Sequence, residues 1–334
     1  MSCSVQAAVV QAAPILFDTP RTVAKLVELT RDAAARAANI VVFPEAFVGG
    51  YPKGLDFGAR LGSRSPEGRD DFRRYFESAI DVPGPETEAI GAAARDCNLH
   101  LVVGVIERDG GTLYCTALMF GSAGQLLGKH RKLMPTALER LVWGFGDGST
   151  LPVIDSEIGR LGSVICWENY MPMLRMAMYA EGIELYCAPT VDDRDTWLPT
   201  MRTIALEGRC FVLSACQYLT RADCPADYDA VQGDDPATVL IRGGSCIVDP
   251  LGNILLEPSF DGEAVRTAEL DRGMIAGGKY DLDVVGHYAR PDIFHLTVDK
   301  SPKSAVAFSG PPPGSIAPTE DGPAWEPAEG RSDA

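Results

Sequence analysis

The sequence has no long uninterrupted apolar run, although 46% of its 334 residues are hydrophobic. A membrane-spanning helix needs about 20 consecutive apolar residues, so the pattern argues against a membrane protein. Residues 1–6 also lack the basic region and apolar stretch of a secretory signal. We therefore expect a soluble cytoplasmic protein that buries a large core, as one large domain or two small ones.

Positive charge is scarce, because 30 Lys and Arg residues face 46 Asp and Glu residues and the net charge is −16. This balance argues against a polyanionic partner such as nucleic acid. The four histidines form no HxxxH pair, and Cys210 and Cys216 are too far apart for a CxxC pair. The nine cysteines are scattered through apparent strands, which is typical of reduced core thiols. We expect no metal, no other cofactor and no disulfide framework.

Short apolar runs alternate with helical patterns along most of the chain. Residues 5–12 and 40–43 are strand-like, and residues 21–38 between them have apolar residues at helical spacing. Further strands are predicted over 99–106, 113–120, 162–166, 185–188, 211–215 and 244–249, with helices over 86–97, 172–181 and 198–208. This alternation predicts an α/β protein in which helices cover sheets.

The end of the chain has a different composition. Residues 309–330 are rich in proline, glycine and acidic residues, which favours a flexible tail over a packed element. No internal repeat or linker is evident before about residue 305. We predict one catalytic domain over residues 1–305 and a flexible tail over 306–334.

Three strand-like segments end at residues that can move protons or attack carbon. Cys166 follows the apolar run 161–165, Glu45 follows the run 40–43, and Lys132 lies where another element gives way to a loop. A lone cysteine is more often a core residue. However, the ends of strands in open α/β sheets are where ligands bind, so the sequence indicates that these three side chains meet.

Such a trio suits acyl transfer. A free thiol, with a pKa near about 8.5, is a weak nucleophile at neutral pH without a base or a cation beside it. Glu45 would accept the thiol proton, and Lys132 would stabilise the anion that forms when sulfur attacks an electrophilic carbon.

Four ordered blocks make the chain resemble the nitrilase superfamily of carbon–nitrogen hydrolases, and within it the true nitrilases of plants and related bacteria. The blocks are Phe43-Pro44-Glu45-Ala46-Phe47, His130-Arg131-Lys132-Leu133-Met134-Pro135-Thr136, Trp143-Gly144-Phe145-Gly146-Asp147-Gly148-Ser149 and Cys166-Trp167-Glu168-Asn169-Tyr170. The resemblance covers about the first 300 residues. It implies a four-layer α-β-β-α sandwich and self-association into homodimers and longer spirals, with residues 55–81 and 218–242 as possible contact surfaces.

The resemblance also implies roles for individual residues. Cys166 is similar to the family's nucleophile, Glu45 to its general base and Lys132 to its electrostatic stabiliser. Glu139 matches a second glutamate thought to orient the lysine or water, although an ordinary loop carboxylate would look the same. The implied reaction converts a nitrile through a thioimidate and a thioester to the carboxylic acid and ammonia.

Other residues near these blocks are candidate substrate contacts. Tyr51 and Trp167 match positions that line the substrate site in nitrilases, whereas Thr190 and Trp197 are weaker candidates. Core packing is the alternative for each aromatic residue. His130 would share a strand face with Lys132, and both a structural role and a role in the site remain open for it.

Two alternatives to a nitrilase remain. An amidase or carbamoyl hydrolase would use the same Glu, Lys and Cys, although many amidase branches have Tyr-Asp after the cysteine where this chain has Trp167-Glu168. A non-catalytic scaffold would not need all three residues. The expected substrates include arylaliphatic nitriles, aliphatic nitriles and cyanoalanine, and the sequence does not choose among them.

Overall fold

The structure is a computed structural model that describes residues 4–304 and 306. Its strands are β1 (Ser4–Gln11), β2 (Ile40–Val42), β3 (Ala59–Arg60), β4 (Ser63–Arg64), β5 (Ile80–Asp81), β6 (His100–Asp109), β7 (Thr112–Phe120), β8 (Leu126–Arg131), β9 (Val153–Ile154), β10 (Leu161–Ser163), β11 (Leu185–Thr190), β12 (Phe211–Cys216), β13 (Tyr218–Thr220), β14 (Val239–Arg242), β15 (Cys246–Val248), β16 (Ile254–Leu256) and β17 (Ala264–Asp271).

The α-helices are α1 (Thr19–Ala35), α2 (Pro66–Ser78), α3 (Pro85–Cys97), α4 (Pro172–Ala180), α5 (Trp197–Gly208) and α6 (Gly273–Gly278). Short 3₁₀ turns span Ala137–Leu141, Gly148–Thr150, Cys166–Tyr170 and Arg221–Asp223. Helices α1 to α4 each have proline in the first turn. Backbone N–H groups there have no acceptor within the helix, so the N–H that proline lacks costs no hydrogen bond. None of the helices in the described part of the chain has the length and apolar character needed to cross a membrane.

Two main sheets form the centre of the fold. The first has seven strands, in the order β17-β1-β2-β6-β7-β8 with β5 beside β6, and the second has six, in the order β16-β15-β12-β11-β10-β9. Neighbours β1, β2 and β6 run parallel, as do β10, β11 and β12; the short β5 is also parallel to β6, and the other pairs are antiparallel. Each sheet thus has a parallel centre with antiparallel margins.

Three apolar layers hold these elements together. Val9, Val42 and Leu213 belong to a buried cluster made by side chains from both sheets. Alternate residues of the first sheet instead pack with α1 and α3, and those of the second sheet pack with α4 and α5. Because side chains alternate across a strand, each sheet buries both faces. The expected α-β-β-α sandwich is therefore confirmed.

The predicted strands and helices agree with those of the structure to within a few residues, whereas the 13-residue helix α2, the 8-residue strand β17 and several shorter elements were not predicted. The predicted strand 162–166 ends earlier, at Ser163, because Cys166 begins a 3₁₀ turn. The secondary-structure elements all belong to a unit that ends at Pro302. The predicted tail, apart from Val306, lies outside the described residues.

Candidate active site

The candidate active site lies where strand ends of both sheets meet. Glu45 follows β2 of the first sheet, and Cys166 follows β10 of the second. Thr190 is the last residue of β11, which pairs in parallel with β10. Lys132 follows the edge strand β8. The parallel centres of the two sheets bring Glu45, Cys166 and Thr190 to one end of the fold, as expected for open α/β sheets, and the end of β8 adds Lys132.

Lys132 is the centre of a buried charge cluster. Its Nζ donates to Glu45 Oε1 at 2.7 Å and to Glu139 Oε2 at 2.7 Å. The ring of Trp143 lies beneath the ammonium, with its centroid 5.3 Å from Nζ. Burial alone would lower the pKa of Lys132, but the negative charge of Glu45 and neighbouring acidic groups holds it well above its usual value. The surrounding negative charge therefore favours the ammonium form of Lys132.

Glu45 is fully buried beside the cysteine. One oxygen, Oε1, accepts from Lys132 and lies 3.6 Å from Cys115 Sγ, while the other, Oε2, is buried and has no hydrogen-bond partner among the described residues. Burial raises the pKa of Glu45, although the charge of Lys132 acts in the opposite direction. A raised pKa makes the carboxylate a better proton acceptor.

Backbone contacts fix the turn that carries Glu45. Gln217 Nε2 donates to the Glu45 carbonyl at 2.7 Å. Gly104 N donates to the Pro44 carbonyl at 3.1 Å, and a Cβ on Gly104 would lie 2.5 Å from that oxygen and from Ala46 N. Only glycine at this position in β6 lets the turn approach so closely. Ala46 has a φ of 50° in the left-handed region.

The nucleophile candidate also lies on a strained turn. Cys166 has a φ of 49°, which a residue with a Cβ rarely adopts. Its side chain is buried, and Thr190 Oγ1 donates to its Sγ at 3.2 Å. Burial raises the pKa of the Cys166 thiol well above its usual value, and the charge of Glu45 raises it further. The thiol is consequently protonated at neutral pH and needs a base to become a nucleophile.

Glu139 completes the cluster. Its Oε2 accepts from Lys132 and from Thr136 N at 2.6 Å, and its Oε1 accepts from the Tyr51 hydroxyl at 2.9 Å. The charged network therefore extends from the buried Glu45 to a more open cavity. The sequence predicted Glu139 as a member of this site, and the structure brings it into contact with Lys132.

A cavity of about 220 Å³ opens over Cys166. Tyr51, Trp167 and Glu139 line it, as do Lys53, Thr136, Val191, Asp192, Asp193 and Arg194. Trp167 is 42% exposed; its Nε1 donates to Asp192 Oδ2 at 2.9 Å and its ring faces the Arg194 guanidinium. Two of the predicted substrate contacts, Tyr51 and Trp167, thus reach this cavity, and Thr190 contacts its cysteine.

The structure does not bring Trp197 to the cavity. Its indole is buried against Met201 and Ile204 in the layer between α5 and the second sheet, and Nε1 donates to Ser214 Oγ at 2.9 Å. Trp197 therefore has the surroundings of a core residue, which was the alternative to a substrate contact. In the described part of the chain, no group of three His, Cys, Asp or Glu side chains could hold a metal ion.

The sequence analysis missed several residues of the site. Cys115 and Gln217 come from β7 and the end of β12, and both lie far in sequence from the Glu45 that they contact. Lys53 and the charged run 192–195 were also missed. That run directly follows the buried strand β11, and this position at a strand end was the one signal that could have identified it.

Comparisons with known proteins agree with this geometry. Residues 6–280 match the carbon–nitrogen hydrolase family. The chain is 61% identical over 301 residues to an aliphatic nitrilase from Sinorhizobium fredii, covering 90% of this chain and 97% of that protein. It is 54% identical over 311 residues to a bifunctional nitrilase/nitrile hydratase from Lupinus angustifolius, covering 92% and 89% of the two chains.

A solved structure shares the fold at much lower identity. The NitFhit protein of C. elegans superposes with a TM-score of 0.71 and 20% identity, over 91% of this chain and 69% of the other. This likeness concerns the fold alone, whereas the sequence matches extend over nearly the whole chain. The protein therefore belongs to the carbon–nitrogen hydrolase family, in its nitrilase branch.

Proposed function

We propose that this enzyme is a nitrilase, which converts an organic nitrile and two waters into a carboxylic acid and ammonia. The observation that carries the proposal is the buried contact of Lys132 with both Glu45 and Glu139, beside a cysteine that opens to a cavity. The nitrilase names of relatives at 61% and 54% identity support nitriles as the substrates.

The first step is attack of sulfur on the nitrile carbon. The raised pKa of the Cys166 thiol keeps it protonated, so the attack needs a base. Glu45 is the base that accepts this proton. The carbon–sulfur bond forms as one bond of the carbon–nitrogen triple bond breaks, which leaves negative charge on nitrogen. The Lys132 ammonium is the nearby cation that stabilises this charge, and transfer of the thiol proton from Glu45 to nitrogen gives a thioimidate and returns Glu45 to its ionised form.

Two waters complete the reaction. The first adds to the thioimidate carbon, and the tetrahedral intermediate expels ammonia to leave a thioester on Cys166. The second hydrolyses the thioester and returns the proton to sulfur. Glu45 and Glu139 both contact Lys132, so either carboxylate is placed to deprotonate an incoming water. The chain's own side chains provide a nucleophile, a base and a cation for each step.

The alternative is an amidase of the same superfamily, since amide hydrolysis passes through the same thioester. Ammonia release from a nitrile and from its matching amide, measured side by side, separates the two. A nitrilase releases ammonia from the nitrile much faster than from the amide. Turnover of amides alone would assign the protein to the amidase branch.

We propose short aliphatic nitriles as the preferred substrates. The cavity of about 220 Å³ is small, and the Sinorhizobium relative is named an aliphatic nitrilase. Tyr51 and Trp167 line the cavity together with Cys166. A panel of aliphatic and arylaliphatic nitriles tests this proposal, and higher kcat/KM for the arylaliphatic members would contradict it.

We further propose that the protein self-associates through α4 and residues 284–298. Met173, Tyr288 and Phe294 are exposed by 64%, 67% and 77%, and apolar clefts of about 420 and 700 Å³ lie along this surface. Exposed apolar surface of this kind is typical of protein contacts. Light scattering after gel filtration should show a homodimer or a larger assembly, and Met173→Glu should reduce its size. A wild-type monomer would contradict the proposal.

A cytoplasmic location is our remaining proposal at this level. The eight cysteines among the described residues are all free, and seven of them are buried. Free thiols in this number suit a reducing compartment. Cell fractionation with antibodies against the protein tests the location directly.

A further inference from the structure

A buried histidine lies two residues before Lys132 and has no role in the steps above. His130 is on β8 and its side chain is 0% exposed. Its Nδ1 is 2.6 Å from the Thr150 carbonyl oxygen, and its Nε2 is 2.9 Å from Glu168 Oε2. Both ring nitrogens therefore face oxygen atoms that can accept a hydrogen bond.

The partners of Glu168 determine where the protons are. Its Oε1 accepts from Leu133 N at 2.6 Å, and its Oε2 accepts from Ile165 N at 3.0 Å as well as facing the histidine. Both oxygens of Glu168 thus already act as hydrogen-bond acceptors. A carbonyl and a carboxylate are both acceptors, so His130 must donate from both nitrogens, which only the imidazolium does.

The same carboxylate joins the two segments that carry the catalytic side chains. Leu133 is the residue after Lys132, and Ile165 is the residue before Cys166. Glu168 belongs to the 3₁₀ turn that begins at Cys166. The strand end of one sheet and the nucleophile turn of the other are thus bonded to one side chain, and His130 holds that side chain in place.

We propose that His130 and Glu168 form a buried ion pair that positions the Cys166 turn against the Lys132 strand. Both are positioning residues, because neither lines the cavity. The proposal rests on the catalytic roles given above for Cys166 and Lys132.

The charges around His130 are consistent with an imidazolium. Burial would lower its pKa, but the carboxylate of Glu168 and the bond to the Thr150 carbonyl raise it above the usual value. Neighbouring cations on the same segment have their own partners: Lys129 and Arg131 contact Glu107, and Lys132 contacts Glu45. Glu168 is therefore the charge that faces His130.

The pair has a consequence for pH dependence. Because the pKa of His130 is raised on folding, its contribution to stability is fully present below the pKa of an unfolded histidine, about 6.5. That contribution is lost as pH rises through the folded pKa. We expect turnover to fall on the alkaline side when His130 loses its proton and the turn loosens.

The test compares Glu168→Gln, His130→Asn and the double variant with His100→Asn as the matched control. His100 is also a buried strand histidine facing a carboxylate, with Nε2 3.6 Å from Glu157 Oε2, but its partners are Glu157 and the backbone of Asn39 and Ile40 instead of the segments at Lys132 and Cys166. The readouts are kcat, KM, thermal unfolding and the rate at which iodoacetamide alkylates Cys166, followed by peptide mass spectrometry. Cys97, on α3 and partly exposed, is the internal control for alkylation.

We expect kcat to fall about a hundredfold in both single variants, since small displacements of reacting groups cost about that much. KM should change by less than about threefold, and the alkaline limb of the pH profile should be altered. Alkylation of Cys166 should change while that of Cys97 does not. The double variant should be no worse than the poorer single variant, because both changes break one contact. Glu168→Asp, which keeps the charge, should recover part of the activity.

Activity and alkylation rates within about twofold of the His100→Asn control would overturn the proposal, and so would losses that multiply in the double variant. If Glu168→Gln does not fold, His130→Asn and Glu168→Asp decide by the same readouts. Failure of the wild type to release ammonia from any nitrile would instead contradict the proposed function, and the alkylation comparison would still test the pair.

Discussion

At the scale of single residues, the protonation states of Cys166 and Glu45 depend on burial. A buried thiol with a raised pKa stays protonated, and a buried carboxylate with a raised pKa accepts a proton readily. Lys132 lies against this carboxylate and remains charged. These states suit the roles that we propose for the three groups, namely nucleophile for Cys166, base for Glu45 and electrostatic stabiliser for Lys132.

Glu45→Gln should lower kcat by about a thousandfold, because the amide keeps the shape of the side chain but cannot accept the thiol proton. In the wild type, activity should fall as pH drops through the raised pKa of Glu45, since only the ionised form is a base. Steady-state kinetics across pH measure both effects. Glu107→Gln is the control, as Glu107 is equally buried but pairs with Lys129 and Arg131. Comparable losses in the two variants would point to a general effect of buried charge.

Tyr51→Phe should lower kcat about tenfold, because a hydrogen bond to a charged group contributes about 1.5–3 kcal/mol. The hydroxyl donates to Glu139 Oε1 at 2.9 Å, so its loss frees the outer carboxylate of the cluster. The ring still packs edge-on against Trp143, and folding should be retained. An unchanged kcat would mean that Tyr51 only forms a wall of the cavity.

The sequence was informative for residues that carry a recognisable block. Glu45, Lys132, Cys166 and Glu139 were each predicted, and the structure brings them together. Cys115, Gln217 and Asp192 were not predicted, because their contacts depend on which strand ends are neighbours in space. Trp197 was predicted to contact substrate, but its side chain packs in the core. An aromatic residue after a strand has the same sequence pattern in a pocket and in a core.

At the scale of elements, the turns that follow the strands position Glu45 and Cys166, since both residues lie beyond the last residue of their strand. The apolar run before Cys166 predicted a strand that continues to the cysteine, but the backbone leaves the sheet after Ser163. The sequence analysis did not predict the left-handed φ values of Ala46 and Cys166. The turn at Ala46 is bonded to the distant Gln217, and the turn at Cys166 has a local bond from Ile165 N to Glu168 Oε2. Strand identity was therefore predictable, whereas turn geometry was not.

Gly104→Ala tests the close approach of β6 to the Glu45 turn. A Cβ there would lie 2.5 Å from Pro44 O and Ala46 N, which are backbone atoms that cannot rotate away. We expect a loss of stability of about 3 kcal/mol or more and reduced activity of the folded fraction. Thermal unfolding measures the first effect. Gly111→Ala is the matched control, because no atom lies within 4 Å of its added Cβ, and equal melting temperatures for the two variants would contradict the account.

At the scale of the whole molecule, periodicity and apolar runs were enough to predict layers of helices and of sheets, but not the order in which these layers stack. Strands β2 and β10 are far apart in sequence and lie in different sheets, yet the site needs the ends of both. The resemblance to a known family supplied the four-layer sandwich, which the structure confirms. The strand order within each sheet had no sequence signal.

Removal of residues 310–334 should leave folding and activity nearly unchanged. The family match ends at residue 280, and the composition of the final stretch does not favour a packed core. Activity assays and gel filtration of the shortened chain measure the result. A loss of assembly together with activity would show that this stretch supports an interface.

The central claim is that Cys166 is the nucleophile in nitrile hydrolysis. The most direct test is ammonia release from an aliphatic nitrile by wild type, Cys166→Ala and, as the control, Cys187→Ala, whose thiol is buried between the sheets. We predict that Cys166→Ala remains folded but loses turnover by a factor of about 10⁴ or more, while Cys187→Ala stays active. Ammonia release by folded Cys166→Ala at a rate near that of the wild type would contradict the account.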